Sequence, residues 1–426
     1  MYGDSLLRRI DWITILLYLV LVGAGWANIY STTVEEENVA LLNLATEYGK
    51  QLFFILLSIV IGISIFFFNS TFFERFGSIF YIISLVLLLG LFLFGKTIGG
   101  ATSWYDLGFM NLQPSELAKL ATIMALAKYL SDIQTDIKRR KHQLYAILII
   151  IIPVVLILPQ PDPGSALVYF ALFFVLFREG LPIYYLGIAL LLVLLFVLTL
   201  IYGVVWIVIG LGMLTSLFYL FKKPTLKVPT LPMAVFLTIC VLYSLSVRFV
   251  YTEIFEERHR NRFDLWLGLE DDERKLEQIK KTIGYNTYQA EKAIESGGFW
   301  GKGFLEGTRT KGNFVPEQHT DYIFSSLGEE WGFFGTSIVI ILYTLFFIRL
   351  LNLAERQKRD FSRMFGYGVI SVLFFHYVIN IGMVIGLLPT IGIPLPFFSY
   401  GGSGLLFFTA MLFIFLKLDA SRLMEN

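Results

Sequence analysis

The chain has 426 residues, of which 56% are hydrophobic, 16% aromatic and only 16% charged, with a mean hydropathy of +0.69. A water-soluble domain needs more polar cover, so a polytopic membrane protein is expected. The formal net charge of +1 lacks the Lys and Arg excess that nucleic acid demands, and one cysteine, Cys240, excludes an intrachain disulfide and a thiolate metal cluster.

Apolar runs of roughly 20 residues, enough to cross about 30 Å of hydrocarbon, mark the spans. Arg8 and Arg9 precede a run from about Trp12 past Ala27, longer than the core of a cleavable signal peptide, so the first span is expected to be uncleaved. Spans are predicted near 12–30, 51–69, 77–95, 114–130, 144–160 and 165–178. The uncharged stretch from Gly180 to Phe221 is too long for one helix and offers a turn near Tyr202 and Gly203, so two spans are expected there. Further spans near 229–250, 326–348, 364–388 and 404–418 give an all-α polytopic protein of about twelve transmembrane helices. Nine belong to an N-terminal bundle (1–250) and three to a C-terminal bundle (326–426).

Lys and Arg favour the cytoplasmic side. With the N-terminus inside, the inner segments hold Arg8, Arg9, Arg75, the run Lys138 to Lys141, Arg178, Lys222, Lys223, Lys227, Arg356, Lys358, Arg359, Arg363 and Arg422, and the short outer loops only Lys50 and Lys96. Both termini are then cytoplasmic. The polar segment 251–325 falls outside, where a long loop translocates largely regardless of its charge.

That segment carries EIFEERHRNRF, the glycine-rich AIESGGFWGKGFLEGT and FVPEQHTDYIF. GGFWGKG fails the phosphate-loop pattern, because Gly303 follows Lys302 and no strand precedes it; tight turns are the simpler reading of its glycines. The four histidines, His142, His259, His319 and His376, fall in separate segments, which disfavours a zinc site. A labile magnesium or manganese ion, held by carboxylates and a substrate pyrophosphate, stays open.

The segments PEQHTDYIFSSLGEEWGFFG, QPSELAKL, QPDPGSALV and NIGMVIGLLPTIGIPLPFFSYGGSG resemble, in order, the signature segments of the SEDS family (shape, elongation, division and sporulation), its elongation branch in particular. The resemblance implies a peptidoglycan glycosyltransferase of the bacterial inner membrane that polymerises lipid II on the outer face. It implies Asp321 as the essential aspartate, and Glu116 and Lys119 as a charged pair in the fourth helix. It implies Trp104 in the preceding loop, with Glu317, His319, Thr320, Ser399 and Gly401 in the matching segments as substrate-binding candidates. A class B penicillin-binding protein and other membrane proteins of the elongation complex are the implied partners. The chain departs from the family in having two more spans before the outer segment, Ser103 where an arginine usually precedes the tryptophan, Pro163 after Asp162, and Gly404 after Ser403.

Sugar transfer from a polyprenyl pyrophosphate needs a base for the attacking hydroxyl, a charge facing the oxocarbenium-like centre and cations for the leaving group. Asp321 is the expected base; Arg260, Arg262 or Lys119 are the expected cations. Each has a plainer alternative. Arg260 and Arg262 suit headgroup anchors, His319 an ordering hydrogen bond, and Glu116 with Lys119 an internal ion pair at i and i+3. Glu329 and Glu330 suit acids at a helix N-terminus, and Asp321 suits a helix cap. A lipid II flippase is the competing function, since intramembrane charges and GIPLPFFSYGGSG also fit a transporter with broken helices. The outer segment, 75 residues from 251 to 325, has no Ser-x-x-Lys and is short for a transpeptidase, so crosslinking is expected from a partner.

Overall fold

The computed structural model describes residues 6–34, 41–108, 110–221, 230–270, 272–282, 284–312, 314–315 and 317–422. They form two compact units, one of residues 1–181 with 286–426 and one of 182–285. The division runs through the long polar segment at 285/286.

In the first unit, long apolar helices run over Trp12–Thr33, Glu47–Ile65, Ser70–Phe94, Pro114–Leu130, Arg140–Ile157, Ile323–Glu355, Asp360–Val384 and Gly402–Ser421. Their starts follow local chemistry. Asp11 caps the first by accepting from the Thr14 amide at 2.9 Å, Thr46 caps the second through the Gly49 amide, and Pro114 occupies the first turn of the fourth, where no amide proton is missed. Small residues let the helices approach: a Cβ on Gly62 would stand 2.6 Å from Phe413, one on Gly366 2.5 Å from Phe415, and one on Gly368 2.5 Å from Ile123. The centre of this packing is the last pair of spans, Asp360–Val384 and Gly402–Ser421, 72% and 83% buried over their apolar windows.

A small antiparallel sheet, Lys96–Ile98, Ala101–Asp106 and Asn111–Leu112, departs from the all-α expectation. It sits between the third and fourth long helices and is tied by Thr102 N to the Gln160 carbonyl at 3.1 Å.

The second unit holds Tyr184–Phe221, broken into two helices at Gly203 (φ 78°, ψ 164°), where the sequence placed a turn. Leu231–Ile254 packs on it through Cys240, Leu195 and Ile207, and Tyr243 donates to the Leu192 carbonyl. Two shorter helices follow, Glu257–Leu267 and Glu273–Lys281.

Among the described residues nine helices are long and apolar enough to cross a membrane, fewer than the expected twelve. The difference has three causes. Tyr184–Phe221 is counted once although Gly203 divides it into two helices, Pro114–Leu130 is short, at 17 residues, and charged, and Pro163–Arg178 is a short stretch of α-helix interrupted by a 3₁₀ turn. Lys222, Lys223 and Lys227, assigned above to an inner segment, lie outside the described residues.

Candidate active site

The segment 385–401 between the last two long helices is irregular, with Gly386, Gly392 and Phe397 all at positive φ. Irregular backbone at membrane depth needs partners for its polar groups, and Asp360–Val384 supplies them from two side chains four residues apart, hence on one face. Asn380 donates through Nδ2 to the Ile393 carbonyl at 2.7 Å and to the Asp321 carbonyl at 2.8 Å. His376 meets the Pro394 carbonyl through Nδ1 at 3.3 Å and Lys119 Nζ through Nε2 at 3.0 Å. A carbonyl only accepts and an ammonium only donates, so the ring carries its proton on Nδ1.

The same segment holds residues 317–322. Ser399 Oγ accepts from the Leu395 amide at 2.9 Å and donates to the Thr320 carbonyl at 2.6 Å; the Tyr400 amide donates to the His319 carbonyl at 2.8 Å. Gln51 completes the junction, its amide nitrogen on the Ser399 carbonyl and its oxygen accepting from Gly401 N. Thr287, Tyr322 and Thr390 close a triangle of hydroxyls at 2.8, 2.8 and 3.2 Å.

Asp321 is thereby fixed by its backbone, and its half-buried side chain lies over Gly392: a Cβ there would stand 3.2 Å from Oδ2. Gly392, at φ +81°, is left bare under the carboxylate. On its other side Gly164 abuts the Gly392 carbonyl. Gly164 belongs to a turn in which Asp162 caps Pro163–Val168 through the Ser165 amide and accepts from Gln113 Nε2 at 2.9 Å. Four sequence motifs that lie far apart in the chain thus converge on Asp321. The N-cap of Ile323–Glu355 is Tyr322, one residue after Asp321, and the Tyr322 side chain does not cap it.

The remaining candidates separate. Glu116 and Lys119 are paired at 2.6 Å and are 3% and 1% exposed. Lys119 is further held by His376 and stands 5.9 Å from the Phe408 ring centroid, so its charge faces protein on every side named here. Thr320 Oγ1 donates to Glu317 Oε2 at 2.7 Å, and His319 Nε2 is 3.4 Å from Glu47. His319 packs edge-on against the Tyr400 ring, with the centroids 5.6 Å apart. Trp104 is half-buried on the second strand, opposite Lys96, while Ser103 beside it is buried. Arg260 and Arg262 lie on Glu257–Leu267 in the second unit, where the Arg260 guanidinium donates to the Thr252 carbonyl at 3.1 Å.

Glu329 and Glu330 require a correction. The helix starts at Ile323, six residues earlier, so they are not first-turn acids. Glu329, fully buried, accepts from Lys302 Nζ at 2.6 Å, from the Arg309 and Thr310 amides at 2.9 Å each, and from the Thr310 hydroxyl at 3.0 Å. It is the anchor of the glycine-rich segment. Sequence reasoning gave no role to His376, or to Asn380 and Gly392 within the last motif segment; two polar side chains at i and i+4 on an apolar helix were the available signal for the first two.

Among the described residues no group of three or more His, Cys, Asp or Glu side chains is placed to hold a metal ion.

The family model described as "Cell cycle protein", covering FtsW, RodA and SpoVE, matches residues 11–224 and 210–423. The peptidoglycan glycosyltransferase RodA of Treponema pallidum is 32% identical over 94% of this chain and 95% of its own length. The peptidoglycan glycosyltransferase MrdB of Escherichia coli is 32% identical over 83% of this chain and 80% of its own. A chain solved in "Structural coordination of polymerization and crosslinking by a peptidoglycan synthase complex" superposes with a TM-score of 0.70 at 26% identity, covering 97% of this chain and 98% of that one. RodA of Thermus thermophilus shares the fold, with a TM-score of 0.61 at 24% identity over 97% of each chain. With matches to a family model over almost all its length and to relatives of this identity, the chain belongs to the SEDS family of FtsW, RodA and SpoVE and is a membrane-embedded glycosyltransferase.

Proposed function

We propose that this protein polymerises lipid II into glycan strands during cell elongation, with Asp321 as the general base. The acceptor 4-hydroxyl oxygen attacks C1 of the donor sugar and its proton passes to the Asp321 carboxylate. The bond from C1 to the pyrophosphate oxygen breaks, and undecaprenyl pyrophosphate leaves. The observation that carries this reading is the placement of Asp321: its backbone carbonyl is pinned by Asn380 at 2.8 Å while its carboxylate lies over bare Gly392, where four motif segments meet. A backbone held in place is what a positioned base needs.

The polar segment 251–325 is the outer catalytic segment in this reading, both termini are cytoplasmic, and the membrane is the bacterial inner one. Magnesium or manganese enters only as a companion of the substrate pyrophosphate. Because Lys119 is enclosed by Glu116 and His376, we assign the Glu116–Lys119 pair to holding the 391–394 segment. A class B penicillin-binding protein supplies the crosslinking, in line with the synthase complex described for a structural relative.

The test is polymerisation of labelled lipid II by purified protein. Asp321→Asn keeps the shape and removes the proton acceptor, so the rate should fall by roughly 10² to 10⁴. Glu317→Gln and His319→Ala should lose far less. Near-normal activity in the Asn variant, at matched melting temperature, would remove Asp321 from the mechanism.

A further inference from the structure

After Glu330 the next charged residue of Ile323–Glu355 is Arg349. The uncharged run between them is close to the length that crosses about 30 Å of hydrocarbon, and Gly332 breaks the helix at the start of that run. The break therefore stands where the hydrocarbon layer ends, on the side of Asp321. Six large aromatic side chains gather there from two segments. Phe299, Trp300 and Phe304 come from the glycine-rich segment, Trp331, Phe333 and Phe334 from the helix, and they are 41% to 73% exposed, Trp300 the most. Their rings meet across the break: the centroids of Phe299 and Phe333 lie 5.8 Å apart, those of Trp300 and Phe334 5.4 Å, and those of Phe304 and Trp331 6.2 Å. Backbone pairing holds the two segments together, with Phe333 N and Phe334 N donating to the Gly298 and Phe299 carbonyls. A contiguous patch of six exposed aromatics marks an interaction surface.

We infer that this cluster seats the glycine-rich segment in the interfacial layer of the bilayer, so that a segment which does not cross the membrane is anchored to its surface. Three features select lipid as what covers it. Phe334 belongs both to the patch and to the exposed stripe Phe334, Ile338, Ile341, Leu345 and Ile348, which is spaced by four and three residues and so follows one face of the span out into lipid. Two of the six are tryptophans, which suit the headgroup boundary because the indole keeps its ring in apolar surroundings and its N–H near water. Lys302, the one charged residue between Gly298 and Leu305, is turned away with Nζ on Glu329 at 2.6 Å, while Glu295 and Glu306 on either side are exposed. The segment thus offers lipid an apolar face with charge only at its margins, the pattern of an element that lies on a membrane and does not sink through it. The anchor fixes the height above the hydrocarbon of the segment that leads to Asp321.

The experiment places the full-length protein in phosphatidylcholine bilayers whose acyl chains are brominated either just below the headgroup or near the terminal methyl, and reads indole fluorescence. The chain has seven tryptophans, so the emission of one is taken as the parent minus Trp300→Phe, which keeps a ring in the cluster. The shallow bromines should remove most of that emission, the deep ones little of it, and aqueous acrylamide should quench it only weakly. Should Trp300→Phe melt early and disturb the other indoles, Trp331→Phe supplies the same subtraction from the helix side of the break. Strong quenching by acrylamide with no loss to either lipid overturns the inference and leaves the patch to a protein partner. Deep bromines that quench as well as shallow ones overturn the interfacial placement and put the segment inside the hydrocarbon. The readout is a depth and not a rate, so it stands or falls separately from the role of Asp321.

Discussion

Two long apolar helices are broken at a glycine in the same corner of backbone space, and their surroundings are opposite. Gly203 (φ 78°, ψ 164°) divides Tyr184–Phe221 in the second unit, and a Cβ there would meet nothing within 4 Å. Gly332 (φ 63°, ψ −162°) divides Ile323–Glu355 in the first, and a Cβ there would stand 2.3 Å from Gly301 N and 2.7 Å from the Phe299 carbonyl. The break at Gly332 frees helical carbonyls before it and amides after it, and the glycine-rich segment satisfies both. Lys302 N and Gly303 N donate to the Glu329 and Glu330 carbonyls at 3.0 and 2.9 Å, while Phe333 N and Phe334 N donate to the Gly298 and Phe299 carbonyls at 2.9 and 3.0 Å. One break connects two spans; the other is a socket that seats the segment leading to Asp321. The glycines of AIESGGFWGKG are there because backbone meets backbone.

The contrast extends to whole helices. In the second unit the apolar windows of Tyr184–Phe221 and Leu231–Ile254 are each 17% buried, against 72% and 83% for Asp360–Val384 and Gly402–Ser421. Lipid-facing helices need only be apolar, whereas helices that enclose a site must carry polar groups and find them partners. The sharpest way to break this contrast is Lys119→Met, which strips Glu116 of its ion-pair partner although Glu116 Oε2 already has no hydrogen bond among the described residues. Leaving a buried carboxylate unpaired should cost about 3–5 kcal/mol, and a Glu116→Gln/Lys119→Met double variant should recover much of it. Denaturant or thermal unfolding in detergent gives the comparison; equal losses in the single and double variants would mean that the pair is not coupled.

The two broken helices make a matched second test. Gly203→Ala meets only backbone strain, about 1–3 kcal/mol in a region essentially confined to glycine. Gly332→Ala meets the same strain and also drives a methyl into the backbone of Gly301, so its loss should exceed that of Gly203→Ala by about 1–3 kcal/mol. Polymerisation should fall with Gly332→Ala beyond what its stability explains, because the displaced segment reaches Glu329 and then Asp321; Gly203→Ala should leave the rate alone. Parallel melting curves and rates for the two variants check this, and equal damage would erase the distinction between connector and socket.

Much of this architecture was legible in the sequence, and what was not has a physical cause. Apolar run length located the helices, with Pro114–Leu130 as predicted and the break at Gly203 where a turn was placed, though the start near 77 lies at Ser70 and the end near 348 at Glu355. Run length is a property of each segment alone, so it carries no information on which face packs. That is why the two buried spans could not be told from the exposed ones, and why Glu329, buried seven residues into its helix, looked like a terminal acid. Asp321, Glu317, His319, Thr320, Ser399 and Gly401 were recognised as motif residues and stand at one junction; Asn380 and His376, which hold that junction, come from a helix whose sequence is otherwise an ordinary apolar span.

The smallest effects test whether burial percentages mean in a bilayer what they mean in water. Leu412 is fully buried in Gly402–Ser421 and Leu214 is 65% exposed in Tyr184–Phe221. In water both truncations would lose hydrophobic transfer energy, but lipid tails are as apolar as leucine, so only the packing part survives inside a membrane. Leu412→Ala leaves a cavity that neighbouring helices fill incompletely and should cost about 2–3 kcal/mol, the lower part of the range for buried leucines. Leu214→Ala leaves a dent that an acyl chain fills, and should change stability by less than about 0.5 kcal/mol. Unfolding in a bilayer mimetic separates the two. A loss at Leu214 as large as that at Leu412 would mean that Leu214 packs on protein in the membrane, and the outer face of the second unit would then be an interface and not a lipid surface.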